Sequence, residues 1–283
     1  MDLTNALASE RVDAVRRWAD GEWTTAPDEV AREEPLEIRA RGRAVSVTMR
    51  TPGHDAELAV GFLLSEGLIR RREDVLNVEH CDRNEDGNLL NVLLAADVYV
   101  DFEKLTRHVF ASSSCGLCGR ATIESLRNQF PPIGRDGDDD LRVDPSVLLA
   151  MPETMRSAQA AFDKTGGLHA AALFTPVGEL VVLREDVGRH NATDKVLGHA
   201  LLNGIDAAAH VLLVSGRVSF EIVQKALAAR VAVIAAVSAP SSLAIDFARE
   251  NNQTLIGFLR AGRMNVYTGG ERLVPSPGTS GEG

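Results

Sequence analysis

Hydrophobic and polar positions alternate along the first third of the chain. On both sides of Arg41-Gly42-Arg43, apolar residues occupy every second position, a period that predicts two strands joined by a turn. A helical spacing follows, and two more alternating segments predict strands at residues 77–81 and 89–95. This combination predicts a small α+β domain at residues 31–110.

From Gly166 the pattern changes to short, continuous apolar runs that alternate with helical spacing. Strands that are buried on both faces have such runs, so the alternation predicts a largely parallel sheet covered by helices on both sides. We expect this larger α/β domain to span residues 111–270. Its predicted strands lie at 169–175, 180–185, 210–215, 231–237 and 254–259, and its predicted helices at 145–162, 191–203, 219–230 and 241–251.

Polar residues dominate both ends of the chain. Residues 1–30 are acidic and weakly patterned, which predicts a polar leader that is either disordered or a loosely packed helix. Residues 271–283 are rich in Gly, Ser and Pro and predict a disordered tail. The leader lacks the apolar core of a signal peptide, and no apolar run reaches the roughly 18 residues of a membrane helix. We expect a cytoplasmic protein that does not contact a membrane.

The net charge argues against one class of partner. With 30 Lys and Arg against 40 Asp and Glu, the chain carries a formal charge of −10 and lacks the basic footprint that nucleic acids require. The excess acid lies entirely in the first 165 residues, whereas residues 166–283 are balanced. A long nucleic acid is therefore not expected as a partner, but a small anion is compatible with the second part of the chain.

Two cysteines three positions apart mark the most reactive segment, Ser112–Arg120. Glycines flank Cys115 and Cys118, which lets a bulky partner approach the backbone, and a helix predicted at 121–130 would favour thiolate over thiol. The residues leave three chemistries open: a thioredoxin-like dithiol, a sulfur carrier, or a zinc site that takes further ligands from elsewhere. The pair could also be incidental, and the distant Cys81 is expected to be a small buried side chain.

Four loops follow strands of the predicted sheet, where a doubly wound sheet binds its ligand. They offer hydroxyls, glycines and guanidinium groups, and three of them begin helices, so together they predict a site for a phosphorylated ligand. Taken alone, the loops at 215–219 and 238–242 are also ordinary helix entries. Asp186 could simply pair with Arg189. His169 and His210 could be structural, and His190 a polar surface residue. The loops are residues 184–191, 215–219, 238–242 and 260–263.

The signatures of several enzyme classes are absent from the sequence. None of the seven histidines is followed two residues later by Glu, and Ser114 stands where the zinc-deaminase signature Pro-Cys-x-x-Cys has Pro. Gly-x-Ser-x-Gly, Gly-x-Gly-x-x-Gly and the Walker loop are also missing. The sequence therefore gives no support to a serine hydrolase, a redox dinucleotide enzyme or an ATPase.

A series of motifs runs through the chain in a fixed order: Glu34-Pro35-Leu36, Thr51–Asp55, Gly61–Gly67, Ser113–Gly119, Thr165–Ala171, Arg184–Asn191 with Asp194-Lys195, Ser215–Arg217 and Phe258–Arg263. In these motifs the chain resembles the formate dehydrogenase accessory sulfurtransferase family, FdhD. The resemblance covers most of the chain, and the cysteine motif shows no departure from the family pattern.

The resemblance implies a function. Members of this family accept a sulfur atom from a cysteine desulfurase as a cysteine persulfide. They pass it to the molybdenum bis(molybdopterin guanine dinucleotide) cofactor before that cofactor enters formate dehydrogenase. The persulfide-bearing cysteine matches Cys115, and its partner Cys118 either attacks the persulfide or tunes its neighbour. The cofactor-contacting residues match Phe258, Leu259, Arg260, Ala261, Gly262 and Arg263.

The resemblance also implies a fold and an assembly. Family members have a cytidine-deaminase-like three-layer α/β domain preceded by a smaller α+β domain, and they form homodimers. Since the zinc signature of the deaminases is missing, no tightly bound structural metal is expected. Two alternatives remain open: a dithiol–disulfide oxidoreductase that uses Cys115 and Cys118, and a chaperone that binds the cofactor without carrying sulfur.

Overall fold

The structure is a computed structural model that describes residues 8–81, 87–100, 102, 127–134, 141–260 and 262–275. These residues form a mixed α/β fold with a two-stranded, a four-stranded and a six-stranded sheet. The boundaries proposed for the two domains, at residues 31–110 and 111–270, stay predictions.

A β-hairpin occupies the position of the predicted polar leader. β1 (Ser9–Ala19) pairs antiparallel with β2 (Glu22–Ala31), so this segment is regular structure and neither a leader nor a loose helix. The strands meet at Asp20-Gly21, where both residues have positive φ, a turn that this dipeptide strongly favours. Most residues of the hairpin are exposed on both faces, so no apolar alternation marks the strands in the sequence.

The predicted strands of the next region are confirmed and form the four-stranded sheet, of order β4-β3-β6-β5. In β3, Leu36, Ile38 and Ala40 are fully buried while the residues between them are partly exposed, as the alternation predicts. Helix α1 (Asp55–Ser65) packs against β5 and β6. The strands are β3 (Glu34–Ala40), β4 (Arg43–Arg50), β5 (Val75–His80) and β6 (Leu89–Leu94).

The six-stranded sheet has the order β12-β11-β10-β9-β7-β8. β9, β10 and β11 are parallel, whereas β7 runs antiparallel to both of its neighbours and β12 runs antiparallel to β11. The sequence pattern predicts the first five strands but not β12. The strands are β7 (His169–Phe174), β8 (Leu180–Asp186), β9 (Val211–Val214), β10 (Val233–Ala236), β11 (Thr254–Arg260) and β12 (Arg263–Thr268).

Helices cover both faces of this sheet. Right-handed crossovers that step from β8 to β11 in one direction place α4, α5 and α6 on one face. Because that face is occupied, α2, which packs against β8 and β11, lies on the other. The single helix predicted at 145–162 is broken at Gln159. The helices are α2 (Pro145–Ala158), α3 (Ala160–Thr165), α4 (Arg189–Leu202), α5 (Phe220–Ala228) and α6 (Ser242–Glu250).

The chain is still packed against the fold just after residue 270. Arg272 is buried and Leu273 forms a β-bridge with Val143, so the prediction that a disordered tail starts at residue 271 places its start too early. Among the described residues, no helix is both long and apolar enough to span a bilayer.

Helices α1 and α4 cross at very short distance, and this contact joins the two larger sheets. A Cβ atom added at Gly61 would lie 1.8 Å from the carbonyl oxygen of Asp194, and one added at Gly198 would lie 1.9 Å from that of Glu57. Only residues without a side chain allow the two backbones to approach this closely. The glycines at these positions therefore set the distance between the two helices.

We expect Gly61→Ala to destabilise the protein. Helix propensity alone favours Ala by about 1 kcal/mol, but the added methyl group overpacks the crossing, which costs about 1–3 kcal/mol or more. Urea denaturation measures the difference. Gly270→Ala is the matched control, since a Cβ there would meet only Val266 at an ordinary 3.7 Å. A midpoint for Gly61→Ala at or above that of the unmodified protein would contradict the close crossing.

Candidate functional site

The four loops singled out in the sequence lie at one edge of the six-stranded sheet. β8 and β9 both run antiparallel to β7, and β10 and β11 run parallel to β9. The carboxyl ends of these four strands therefore point the same way, and the amino end of β7, with His169, lies among them. We call this region the carboxyl edge.

The loops of the carboxyl edge are tied to one another by their backbones. Val218 forms a β-bridge with Pro240, so the loops after β9 and β10 run side by side. The amide of Phe258 donates to the carbonyl of Ser238 at 3.0 Å, which links the end of β11 to the loop after β10. Gly257 permits this contact, because a Cβ there would lie 2.7 Å from Pro240. The edge is thus held together as one surface.

Guanidinium groups without carboxylate partners line this edge. Among the described residues, no ion pair involves Arg189, Arg217, Arg260 or Arg263, and the Nε atom of Arg189 is buried without a hydrogen-bond partner. Arg184 differs, because it is bound by Glu57. Four unpaired cations at the amino ends of helices and in a turn are an arrangement that binds anions.

The predicted cofactor-contacting residues lie at the end of β11 and in the turn to β12. Arg260 and Arg263 are exposed and pair across the strands, and Gly262 has a φ of 78°. Leu259 is fully buried and does not present its side chain to a ligand. Ala261 lies outside the described residues.

Phe258 has an unusual backbone. Its φ is 52°, a value that costs a bulky residue about 1–3 kcal/mol, and it lies at an irregularity of the β11–β12 register. Phe258 is 37% exposed, in contrast to its buried neighbours Gly257 and Leu259. Strained residues of this kind are concentrated at ligand sites, which supports the expectation that Phe258 contacts a ligand.

Two histidines of the carboxyl edge are half-buried. Burial lowers the pKa of His169, and the nearby charges of Arg189 and Arg217 lower it further. Burial likewise lowers the pKa of His190, with Arg189 and Lys225 acting in the same direction. Both rings are therefore neutral near pH 7 and can donate one hydrogen bond and accept another.

His190 is more than a polar surface residue. Its Nε2 atom lies 3.2 Å from the hydroxyl of Ser219 at the start of α5, and 3.9 Å from a carboxylate oxygen of Glu221. The hydroxyl of Ser219 does not cap α5, whereas that of Ser241 does cap α6, at 3.2 Å from the amide of Ala244. Helix capping thus explains Ser241 and leaves Ser219 to interact with His190.

Asp186 does not pair with Arg189. Its carboxylate is fully buried and lies 2.7 Å from the ammonium group of Lys195, and it also accepts the amides of Thr51 and Gly188. The ammonium group in turn donates to the carbonyl of Thr51. A buried ion pair surrounded by hydrogen bonds holds this part of the molecule together, so Asp186 and Lys195 are structural and not free to bind a ligand.

A cluster around Glu57 was not predicted from the sequence. Arg184 donates to both carboxylate oxygens, and the Nδ1 atoms of His199 and His54 lie 2.8 Å and 3.4 Å from them. Burial alone would raise the pKa of Glu57, but the hydrogen bonds it accepts outweigh burial and hold the pKa well below its ordinary value. The cluster joins α1 to β8 and α4, and its members are too distant in sequence to form a motif.

The predicted catalytic residues Cys115 and Cys118 lie outside the described residues. Cys81 is described: it is half-buried, more accessible than expected for a small core residue, and its thiol is free. The structure therefore leaves the assignment of the cysteine pair as a prediction.

Comparison with known proteins identifies the family. The model of the FdhD/NarQ family matches residues 31–274, so the match begins where the β1–β2 hairpin ends. This chain belongs to the FdhD/NarQ family, which confirms the resemblance seen in its motifs.

Several curated relatives carry the name sulfur carrier protein FdhD. The chain is 48% identical to one from Streptomyces avermitilis, over 92% of this chain and 94% of the relative. It is 51% identical to one from Mycolicibacterium paratuberculosis, over 89% and 94%. It is 42% identical to one from Thermoplasma volcanium, over 95% and 97%.

A solved structure shares the fold. The crystal structure of a protein from Desulfotalea psychrophila, described provisionally as a formate dehydrogenase accessory protein, aligns with a TM-score of 0.75. The alignment covers 94% of this chain and 100% of that chain at 24% identity, and it therefore supports the fold alone.

Replacing Glu57 with Gln tests the cluster that joins α1 to α4. Because the pKa of Glu57 is lower in the folded than in the unfolded protein, its contribution to stability is present above the ordinary pKa of 4.5 and is lost as the pH falls below that value. We expect Glu57→Gln to lower the free energy of unfolding by about 1–3 kcal/mol at neutral pH. Urea denaturation at several pH values should show the gap between the two proteins narrowing steadily as the pH falls below 4.5; a gap independent of pH would contradict the role of the charge.

Proposed function

We propose that this protein is a sulfur carrier that serves formate dehydrogenase. The observation that carries the proposal is the carboxyl edge with its unpaired guanidinium groups, in a chain that belongs to the FdhD/NarQ family. The names of the relatives support the role in sulfur transfer. The edge suits the acceptor we propose, the molybdenum bis(molybdopterin guanine dinucleotide) cofactor, because its pyrophosphates are anions of the kind that Arg binds bidentately.

In the first step, Cys115 takes up the sulfur. Its thiolate attacks the outer sulfur of a persulfide on a cysteine desulfurase, so one S–S bond forms as another breaks. The desulfurase cysteine leaves as a thiolate, and Cys115 becomes a persulfide. No net oxidation or reduction occurs, which is why a thiolate is sufficient and no further reagent is needed.

In the second step, the sulfur reaches the acceptor as sulfide. The outer sulfur of a persulfide gains two electrons when it becomes sulfide. Attack of the Cys118 thiolate on the inner sulfur of the Cys115 persulfide supplies them, since a disulfide forms between the two cysteines and hydrosulfide leaves. A cellular dithiol then restores the two thiols by disulfide exchange. We place this step before the cofactor enters formate dehydrogenase.

We also propose that the six-stranded sheet and its helices form a cytidine-deaminase-like domain. A mixed sheet with helices on both faces supports this proposal. In this proposal the protein acts in the cytoplasm as a homodimer.

Cys115→Ser tests the carrier role. Intact mass is measured after incubation with a cysteine desulfurase and cysteine. The unmodified protein and the controls Cys81→Ser and Cys118→Ser should gain one sulfur atom, whereas Cys115→Ser should gain none because it lacks the attacking thiolate. An equal gain in Cys115→Ser would remove Cys115 from this role. Disulfide cycling without any sulfur gain would favour a dithiol oxidoreductase.

Replacing Arg260 or Arg263 with Ala tests the anion site. Each removes a charge-assisted contact to phosphate, and we expect the affinity for GDP to fall about tenfold or more per substitution. Isothermal titration calorimetry measures the affinity. Arg249→Ala is the control, because Arg249 is exposed on α6 and pairs with Asp246. An unchanged affinity in both edge variants would exclude the β11–β12 turn from the site.

A further inference from the structure

Three side chains at the amino ends of α4 and α5 form a connected group that the proposed function does not yet use. His190 lies in the first turn of α4, Ser219 precedes α5, and Glu221 lies in the first turn of α5. The Nε2 atom of His190 lies 3.2 Å from the Ser219 hydroxyl and 3.9 Å from a carboxylate oxygen of Glu221. The Ser219 hydroxyl also hydrogen-bonds the carboxylate of Glu221, which helps to lower the pKa of that group.

The directions of these hydrogen bonds fix where His190 carries its proton. A carboxylate only accepts, so Ser219 donates its one hydroxyl proton to Glu221. The oxygen of Ser219 then accepts the bond from His190, and Nε2 is the protonated nitrogen of the neutral ring. The other nitrogen, Nδ1, is therefore left with a free lone pair. Within the described part of the chain, no residue hydrogen-bonds this Nδ1 atom.

The same arrangement excludes Ser219 as a nucleophile of the serine-hydrolase type. In those enzymes the carboxylate binds one ring nitrogen of the histidine, and the opposite nitrogen takes the proton of the serine. In this protein the serine and the carboxylate lie on the same ring nitrogen, and the serine donates away from the ring. The basic atom of the group is thus Nδ1 of His190.

The surroundings of His190 suit a base that acts on an anion. The ring lines a cavity of about 530 Å³ that is enclosed by the four-stranded sheet and helices α1, α4 and α5. Arg189, whose Nε atom is buried without a hydrogen-bond partner, acts on the ring with its positive charge. An anion that pairs with Arg189 therefore lies close to a neutral base. The charged groups around the ring are Arg189, Asp194, Glu221 and Lys225, and Glu66 lines the same cavity.

We propose that His190 is a general base in the transfer of sulfur to the acceptor and that Ser219 and Glu221 hold it in position. This inference rests on the proposed function, in which hydrosulfide becomes a sulfide ligand of the acceptor's metal. The S–H bond breaks, and its electron pair stays on the sulfur, which forms the bond to the metal. The proton passes to Nδ1 of His190. Nothing is oxidised or reduced in this step.

The Glu221 carboxylate has a defined part in this reaction. When Nδ1 takes the proton, the ring becomes an imidazolium, and the negative charge held by Ser219 on the opposite side of the ring stabilises it. The side chain of His190 is 35% exposed, so the imidazolium then returns the proton to solvent. Ser219 and Glu221 are thus positioning residues, whereas His190 contacts the reacting sulfur.

His190→Ala tests the base. Protein that carries the acceptor cofactor is loaded with sulfur by a desulfurase and cysteine and is then mixed with cofactor-free formate dehydrogenase. The rate at which formate oxidation appears measures the transfer. We expect this rate to fall about 100-fold or more in His190→Ala and to recover in part when imidazole is added. His210→Ala is the control, because His210 lies before the amino end of β9, at the opposite edge of the sheet.

Glu221→Gln is a second variant that leaves the base in place. Glu221 raises the pKa of His190 against burial and Arg189, so its replacement lowers that pKa further and weakens the base. A base acts in its neutral form, so the transfer rate falls as the pH drops through the pKa of His190. We expect this decline to lie at lower pH in Glu221→Gln, and the rate at neutral pH to be lower. Glu221 is 58% exposed, so its replacement should leave the fold intact.

Nitrogen NMR of the His190 ring tests the geometry without any transfer reaction. The unmodified protein should show the proton on Nε2 at neutral pH, and Glu221→Gln should show a lower pKa for the ring. A proton on Nδ1 instead would overturn the inference. So would a normal transfer rate in folded His190→Ala, or, if that variant does not fold, an unchanged pH profile in Glu221→Gln.

A separate measurement distinguishes failure of this inference from failure of the proposed function. Sulfur loading of Cys115, measured by intact mass, precedes the step that uses His190 and should be normal in every variant. Failure of loading in the unmodified protein would count against the carrier role. Normal loading combined with normal transfer in His190→Ala would count against the base alone.

Discussion

The close crossing of α1 and α4 is the constraint on which the rest of the structure depends. With no side chain at Gly61 or Gly198, the two backbones touch, and the four-stranded sheet is held against the six-stranded one. Buried polar groups reinforce the crossing: Asp194 accepts the hydroxyl of Ser65 and the ammonium group of Lys225. Since each of these groups is buried, the loss of one partner would leave the other unpaired and strongly destabilise the interface.

Ion pairs in the interior of the protein help to explain why the carboxyl edge is locally cationic. The acidic groups near α4 are used inside the molecule, Asp186 by Lys195 and Glu57 by Arg184. Neither of these two carboxylates is therefore left to pair with Arg189, Arg217, Arg260 or Arg263, none of which forms an ion pair among the described residues. A chain with a net charge of −10 can thus present a local cationic surface, because charges act over distances of about 8–10 Å and not as a whole-chain average.

Strain and unpaired groups are concentrated at the same edge. Phe258 is held at positive φ and is partly exposed, and the Nε atom of Arg189 is buried without a hydrogen-bond partner. Each of these is costly in the free protein and is relieved by a ligand of the right chemistry. In the function we propose, the protein binds a large nucleotide cofactor and releases it again, and groups that are satisfied only in the complex suit that role.

The sequence by itself determined the element types and the place of the loops. Alternation in β3 and continuous apolar runs in β9 and β10 follow directly from which faces are buried, and the order of strands and helices sets the carboxyl edge. The motifs also determined the family. The pattern of polarity did not reveal the β1–β2 hairpin, because its exposed strands have no apolar face and only the Asp20-Gly21 turn marks it. It also did not reveal β12, which is mostly exposed at the sheet edge.

Only the tertiary structure decided what the motif residues do. Asp186 and Arg184 belong to a loop that the sequence suggests as a ligand site. In the structure Asp186 pairs with Lys195 and accepts the amide of Thr51, and Arg184 pairs with Glu57. The break between α2 and α3 at Gln159 carries no signal in the sequence, which predicts a single helix at 145–162. Contacts between residues more than a hundred positions apart depend on packing, and local patterns of polarity do not encode them.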